Sequence, residues 1–161
     1  MIRIEHDFLN DDESDELVNY YINNPQEPIL YARPNIDNYY SSQLSLLGKH
    51  DQFLFAKRLT WPYEKFTRLN IQNISENQPV LEENHRHVQK YSIVIFLNDD
   101  FEGGELVFDN ITIKPVKNML ISFSKELGHH VKKVTGGERY TLVGFSDLEI
   151  NIDKYAKKIL I

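Results

Sequence analysis

Apolar residues change their rhythm along this chain near residue 66. Before that point, residues 2 to 9 read as a short strand. Asp11 to Ile22 reads as a helix with an acidic first turn, where the helix dipole favours negative charge. Leu17, Tyr20 and Tyr21 occupy its core-facing side. From Asn23 to Ser42 the prolines Pro25, Pro28 and Pro34 interrupt a stretch rich in Asn and Tyr, and no period emerges, so the reading is an irregular loop. Phe53, Leu54, Phe55, Leu59, Trp61, Tyr63 and Phe66 suit one or two packed helices, the second starting at Pro62. Beyond Phe66 the chain turns to short apolar runs separated by turn residues, at about the 8–12-residue spacing of an all-β sandwich or barrel. The predicted strands are 67–75, 87–97, 104–108, 111–114, 118–124, 129–134 and 138–146. Asn98-Asp99-Asp100, Gly103-Gly104, Asn110 and Gly136-Gly137 mark the turns, each supplying a residue that tolerates positive φ. The tail from Ile150 suits a short helix or a strand equally.

Composition narrows the class. At 161 residues the chain reads as a single domain, 1–161, large enough to bury roughly two-thirds of its unfolded surface. The formal charge is −6 and no Lys or Arg run exceeds a pair, so neither nucleic acid nor an anionic membrane is an expected partner. The chain has no cysteine. That excludes disulfides and thiolate metal sites, leaves His and carboxylate as the available ligands, and suits a cytoplasmic location. No signal-peptide pattern and no run of about 18 apolar residues occurs, so no membrane span is expected.

Four of the six histidines fall in two clusters, His85-Arg86-His87 and His129-His130. Side chains two apart on a strand project from one side, so His85 and His87 can converge on one ion. His129 opens a later strand that an antiparallel barrel can bring alongside, and His130 then points the other way. Three imidazoles would leave coordination positions open for other ligands. Arg139 and Thr141 share a strand face with Val143, and the guanidinium is suited to holding a carboxylate through paired hydrogen bonds. Singly, each feature has an ordinary explanation: a surface His, an Arg139 ion pair with Glu138 or Asp147, a Gly103-Gly104 hairpin turn. Their occurrence together and in one order gives them a chemical meaning.

That order resembles the prolyl hydroxylase-like branch of the iron(II)/2-oxoglutarate dioxygenases. Tyr91-Ser-Ile-Val-Ile-Phe-Leu-Asn-Asp-Asp-Phe-Glu-Gly-Gly-Glu-Leu-Val-Phe108 is similar to the family's strand, Leu-Asn turn and Gly-Gly-Glu hairpin. His129-His-Val-Lys-Lys-Val-Thr-Gly-Gly-Glu-Arg-Tyr-Thr141 is similar to its H-x-V-x-x-V-x-x-G-x-R-Y segment. Asp7 to Leu17 resembles its opening strand and helix. The resemblance implies a mainly β fold, a double-stranded β-helix (jelly roll, cupin-like) with N-terminal α-helices packed on one sheet. It implies a metal site of His85, His87 and His129 holding Fe(II), with Arg139 binding 2-oxoglutarate. The implied reaction uses O2 to hydroxylate an unactivated C–H bond of a small-molecule or peptide substrate. Two positions depart from the pattern. The family's His-x-Asp is His85-Arg86-His87 here, so imidazole stands where the carboxylate ligand would be, with Glu83 a nearby carboxylate that no spacing rule singles out. Phe96 stands where the family often has a Tyr whose hydroxyl meets the cosubstrate carboxylate, and Ser92, on the same strand face, is either a weaker substitute for it or a core-facing Ser satisfied by backbone. Tyr31, Tyr39 and Tyr40 could cover the pocket. The alternative is a metal- or ligand-binding module of the same fold, silenced with the loss of the carboxylate.

Overall fold

Ile93 through Leu97 offers water no polar side chain, so this run has to be covered on both faces. The computed structural model describes residues 2–30, 39–57, 66–80, 84–87 and 89–147, and it shows how that is done. In chain order the elements are β1 (Ile2–Glu5), α1 (Asp11–Ile22), β2 (Glu27–Leu30), β3 (Tyr39–Ser45), 3-10 turns at His50–Gln52 and Leu54–Lys57, and β4 (Phe66–Ser75). Then come β5 (Tyr91–Phe96), β6 (Glu102–Gly103), β7 (Leu106–Phe108), β8 (Ile111–Ile113), β9 (Leu120–Ser124), β10 (His129–Val131), β11 (Val134–Gly136) and β12 (Glu138–Ser146).

The fold is mainly antiparallel β. The large sheet has the order β1-β9-β5-β12-β4-β3-β2, a second has β10-β7-β8, and β11 pairs with β6. Every strand pairing is antiparallel. Alternation along β5 splits its apolar run between two cores. Ile93, Ile95 and Leu97 join Leu17 and Tyr21 of α1 in one cluster, whereas Val94 and Phe96 join Leu106, Phe108, Ile121 and Phe123 in another. The second cluster lies where the large sheet faces β7, and the pocket opens there.

The helix forms as its acidic start predicts. Asn10 caps it: its side chain accepts from the Glu13 N–H while the Glu13 carboxylate accepts from the Asn10 N–H, each at 2.9 Å. Ser14 of α1 donates to Asn118, whose carbonyl also accepts from the Phe8 and Leu9 amides, so one residue ahead of β9 docks the N-terminal segment. Tyr20 is only partly buried.

Several expectations need correction. Strand 2–9 stops at Glu5. The segment Asn23–Ser42 is not wholly irregular, because β2 and the start of β3 lie in it. Its strands hide because β3 is largely polar and because β2 closes the sheet, where Pro28 costs little. The helices expected over 50–66 are two short 3-10 turns in the described part, leaving α1 as the sole α-helix among the described residues. A helix starting at Pro62, the tail from Ile150, Glu83 and Tyr31 lie outside the described residues. Tyr39 and Tyr40 begin β3, and their side chains are not described. Among the described residues no helix is long and apolar enough to cross a membrane. Asn10→Ala removes the cap and should lower stability by about 1 kcal/mol, read as an earlier urea midpoint with an unchanged slope.

Candidate metal centre

The two histidine clusters meet through the backbone. His85 forms an isolated antiparallel bridge with His129, the His85 amide donating to the His129 carbonyl at 2.9 Å and the His129 amide returning the bond at 3.0 Å. Residues 86 and 87 are not part of a regular strand, so the expected strand 87–97 begins only at Tyr91. The bridge suffices to place the side chains. One nitrogen from each of His85, His87 and His129 lies within 4.8 Å of the others. The His87 and His129 Nε2 atoms are 3.0 Å apart, so the atom that His87 presents is Nε2.

The tautomer of His129 is fixed by chemistry. Its Nδ1 lies 3.2 Å from the Leu127 carbonyl, which can only accept, so Nδ1 carries the proton and Nε2 keeps its lone pair toward His87. Phe123 packs at 4.6 Å from the His129 ring and Phe145 at 4.4 Å from the His87 ring. This burial holds the His87 imidazole far below its ordinary range, at about 3, with the neighbouring His129 and His85 adding to the effect. Burial also lowers His129 to about 4, partly opposed by its bond to Leu127. Both rings are therefore neutral, the form that binds metal, throughout the physiological range. His130 lies outside the trio, donating from Nδ1 to Asn84 at 2.6 Å, while Asn84 donates to Asp109.

Arg139 shares the same cavity, which measures about 100 Å³. The side chain is 2% exposed, not a surface ion-pair partner. Its Nε donates to the Gly104 carbonyl at 2.9 Å and its guanidinium sits 5.3 Å from the Phe96 ring centre. Gly104 is more than a turn residue: a Cβ there would come within 2.8 Å of Arg139 Cδ and 3.0 Å of the Phe101 ring, and its φ is +68°. The Gly-Gly hairpin leaves space for the arginine.

Ser92 is placed differently from expectation. It pairs across the sheet with Phe123 on one side and Phe145 on the other, beneath the imidazoles. Arg139 lies six residues along β12 from Phe145, roughly 20 Å at strand rise, so Ser92 cannot share a carboxylate with it. The sharing of a face with Phe96 misled because it says nothing of separation along the strand. Thr141, opposite Phe96 and two residues from Arg139, is the hydroxyl at that end. It is fully buried and its Oγ1 has no hydrogen-bond partner among the described residues. A donor in that condition costs about 1–3 kcal/mol, which a ligand oxygen would recover.

An antiparallel β pocket thus brings three converging imidazoles to one level and a buried arginine to another. Among solved structures, the chain is similar to a prolyl hydroxylase from Trichoplax adhaerens solved with a hypoxia inducible factor peptide fragment. The TM-score is 0.71 at 17% identity, covering 91% of this chain and 83% of that one. An oxidoreductase of the 2OG-Fe(II) oxygenase family from Burkholderia pseudomallei gives 0.64 at 19% identity, covering 88% and 82%. Human prolyl 3-hydroxylase 2 is 45% identical over 58 residues, which is 30% of this chain but only 8% of that protein. The family model for the 2OG-Fe(II) oxygenase superfamily matches residues 64–147, and the chain belongs to that superfamily.

Two outcomes follow from the site. Below about pH 6.5 the unfolded chain takes up protons that the folded protein refuses, down to about pH 4 on His129 and about pH 3 on His87. Stability of the metal-free protein should thus be full above pH 6.5 and fall as pH drops through that window, and urea midpoints for His87→Gln should show a shallower fall. Gly104→Ala should displace Arg139 and weaken 2-oxoglutarate binding about tenfold or more in calorimetry, with metal affinity retained.

Proposed function

We propose that this chain is an iron(II)- and 2-oxoglutarate-dependent hydroxylase, a double-stranded β-helix with α1 packed on its large sheet, acting on an unactivated C–H bond. The observation that carries the reading is the 3.0 Å separation of the His87 and His129 Nε2 atoms. Two nitrogen ligands at ~2.1 Å on adjacent octahedral corners lie ~3.0 Å apart, so the pair fits a single ion without rearrangement. His85 would complete a three-imidazole face. Arg139 would take the far carboxylate of 2-oxoglutarate, and the buried Thr141 hydroxyl would give that carboxylate the bond that Phe96 cannot.

When bound, iron and 2-oxoglutarate supply the oxidising chemistry, in which 2-oxoglutarate is decarboxylated to succinate as dioxygen is consumed. The chain's own part is placement. His129 is held to one tautomer by Leu127. Phe108 and Phe123 pack on the buried His129 ring and Phe145 on the half-buried His87 ring, giving both imidazoles apolar neighbours. Arg139, anchored on Gly104, fixes the cosubstrate's direction along the pocket. With imidazole in place of the usual carboxylate, the protein contributes no negative charge to the metal, leaving it more electrophilic. We assign the whole chain, 1–161, to this one domain, with a small-molecule or prolyl-peptide substrate, no nucleic-acid partner in view of the −6 charge, and a cytoplasmic setting in view of the absent cysteines.

Succinate release with iron, 2-oxoglutarate and oxygen should be measurable in the natural protein and should fall together with 2-oxoglutarate affinity in Arg139→Ala, by roughly 10- to 100-fold. Unchanged affinity in that variant would remove Arg139 from the site. His87→Asp tests the departure from the family pattern. A shorter, charged ligand should raise uncoupled turnover if the natural site is attenuated, and abolish turnover if three imidazoles are the working set. A natural protein that binds 2-oxoglutarate without releasing succinate would instead mark a silenced binding module.

A further inference from the structure

The cavity that holds the three imidazoles is lined by two charged side chains among the described residues, Arg139 and Arg68, and by no carboxylate. This is the reverse of the chain as a whole, which carries −6. The two arginines lie at opposite ends. Arg139 pairs across β12 and β4 with Ile74, and Arg68 pairs with Phe145, six residues further along and roughly 20 Å away at strand rise. The Arg139 guanidinium is turned to Gly104 and Phe96 and that of Arg68 to Phe145, so each serves its own end of the pocket.

Arg68 is exposed at the open end. Its guanidinium sits 5.9 Å from the centre of the Phe145 ring, and that ring lies 4.4 Å from His87. One aromatic ring therefore separates Arg68 from the candidate metal ligands, on the side away from Arg139. No carboxylate pairs with it among the described residues. A guanidinium held near an aromatic ring by so loose a contact keeps its donors available for a planar anion.

We propose that Arg68 is the substrate-recognition residue of this pocket and that the substrate bears a carboxylate only a few bonds from the carbon that reacts. The inference rests on the function proposed above. The carboxylate has two sources, the α-carboxylate of a free amino acid or the side chain of an acidic residue in a peptide.

The test first measures 2-oxoglutarate binding to the zinc-loaded protein by calorimetry; absence of binding sinks the function proposed above and this inference with it. On protein that binds, three probe sets are compared: the free amino acids including L-proline, the same amino acids as C-terminal amides, and end-blocked prolyl peptides with or without Glu beside the proline. Calorimetry on the zinc- and 2-oxoglutarate-loaded protein and succinate release with iron are read in parallel. At least one carboxylate-bearing probe should bind and stimulate turnover where its neutral counterpart does neither, and the free or peptide form that succeeds identifies the source. Arg68→Gln should weaken that probe roughly tenfold or more and Arg68→Lys by less, while 2-oxoglutarate affinity stays within about twofold. The proposal is overturned if no acid binds, if amides and acids are equivalent, or if Arg68→Gln leaves the preferred probe unaffected.

Discussion

Two backbone hydrogen bonds between His85 and His129 bring the three imidazoles of the candidate metal centre together. The residues are 44 positions apart, and the chain between them forms β5 to β9 of three different sheets. Were that bridge absent, His87 would have no reason to meet His129. With it, the 3.0 Å approach of two Nε2 atoms follows from side-chain geometry and from the Leu127 carbonyl that orients one ring. Apolar packing then does the electrostatic work. Burying imidazoles among Phe108, Phe123 and Phe145 disfavours their protonation, so they stand ready for a cation although the unfolded chain would protonate them in mild acid.

The rest of the pocket is ordered along β12. Arg139, Thr141, Val143 and Phe145 follow one another on the same face. They run from the sealed end, where Gly104 gives the arginine its room and its acceptor, to the imidazoles and then to the mouth. One strand thereby sets the separation of the buried arginine, the imidazoles and the entrance, and its pairing with β4 and β5 keeps that spacing rigid. The hairpin at Gly103-Gly104 and the start of β12 at Arg139 act as a unit, which explains physically why these motifs occur together.

Much of this was legible in the sequence, for identifiable reasons. The acidic, capped helix 11–22 and the strands after Phe66 have strong local patterns, and both histidine clusters and Arg139 lie in motifs of fixed spacing. The misses are of two kinds. β2 was hidden by Pro28, which an edge strand tolerates, and β3 beside it by the polar run from Ser41 to Gln43, which shows no apolar period. Ser92 was assigned to the wrong end because a shared strand face does not give distance along the strand; the cross-strand register supplied that. Thr141 was seen to share a face with Arg139, but its buried, unpartnered hydroxyl depends on Phe96 lying opposite, a nonlocal fact.

The account stands on His129, rather than its neighbour His130, completing the trio. The most direct measurement is an anaerobic iron(II) titration of the natural protein and of His129→Ala and His130→Ala, with bound metal counted per chain. One ion per chain should bind to the natural protein and to His130→Ala, and His129→Ala should lose it. Metal retained in His129→Ala but lost in His130→Ala would contradict the site.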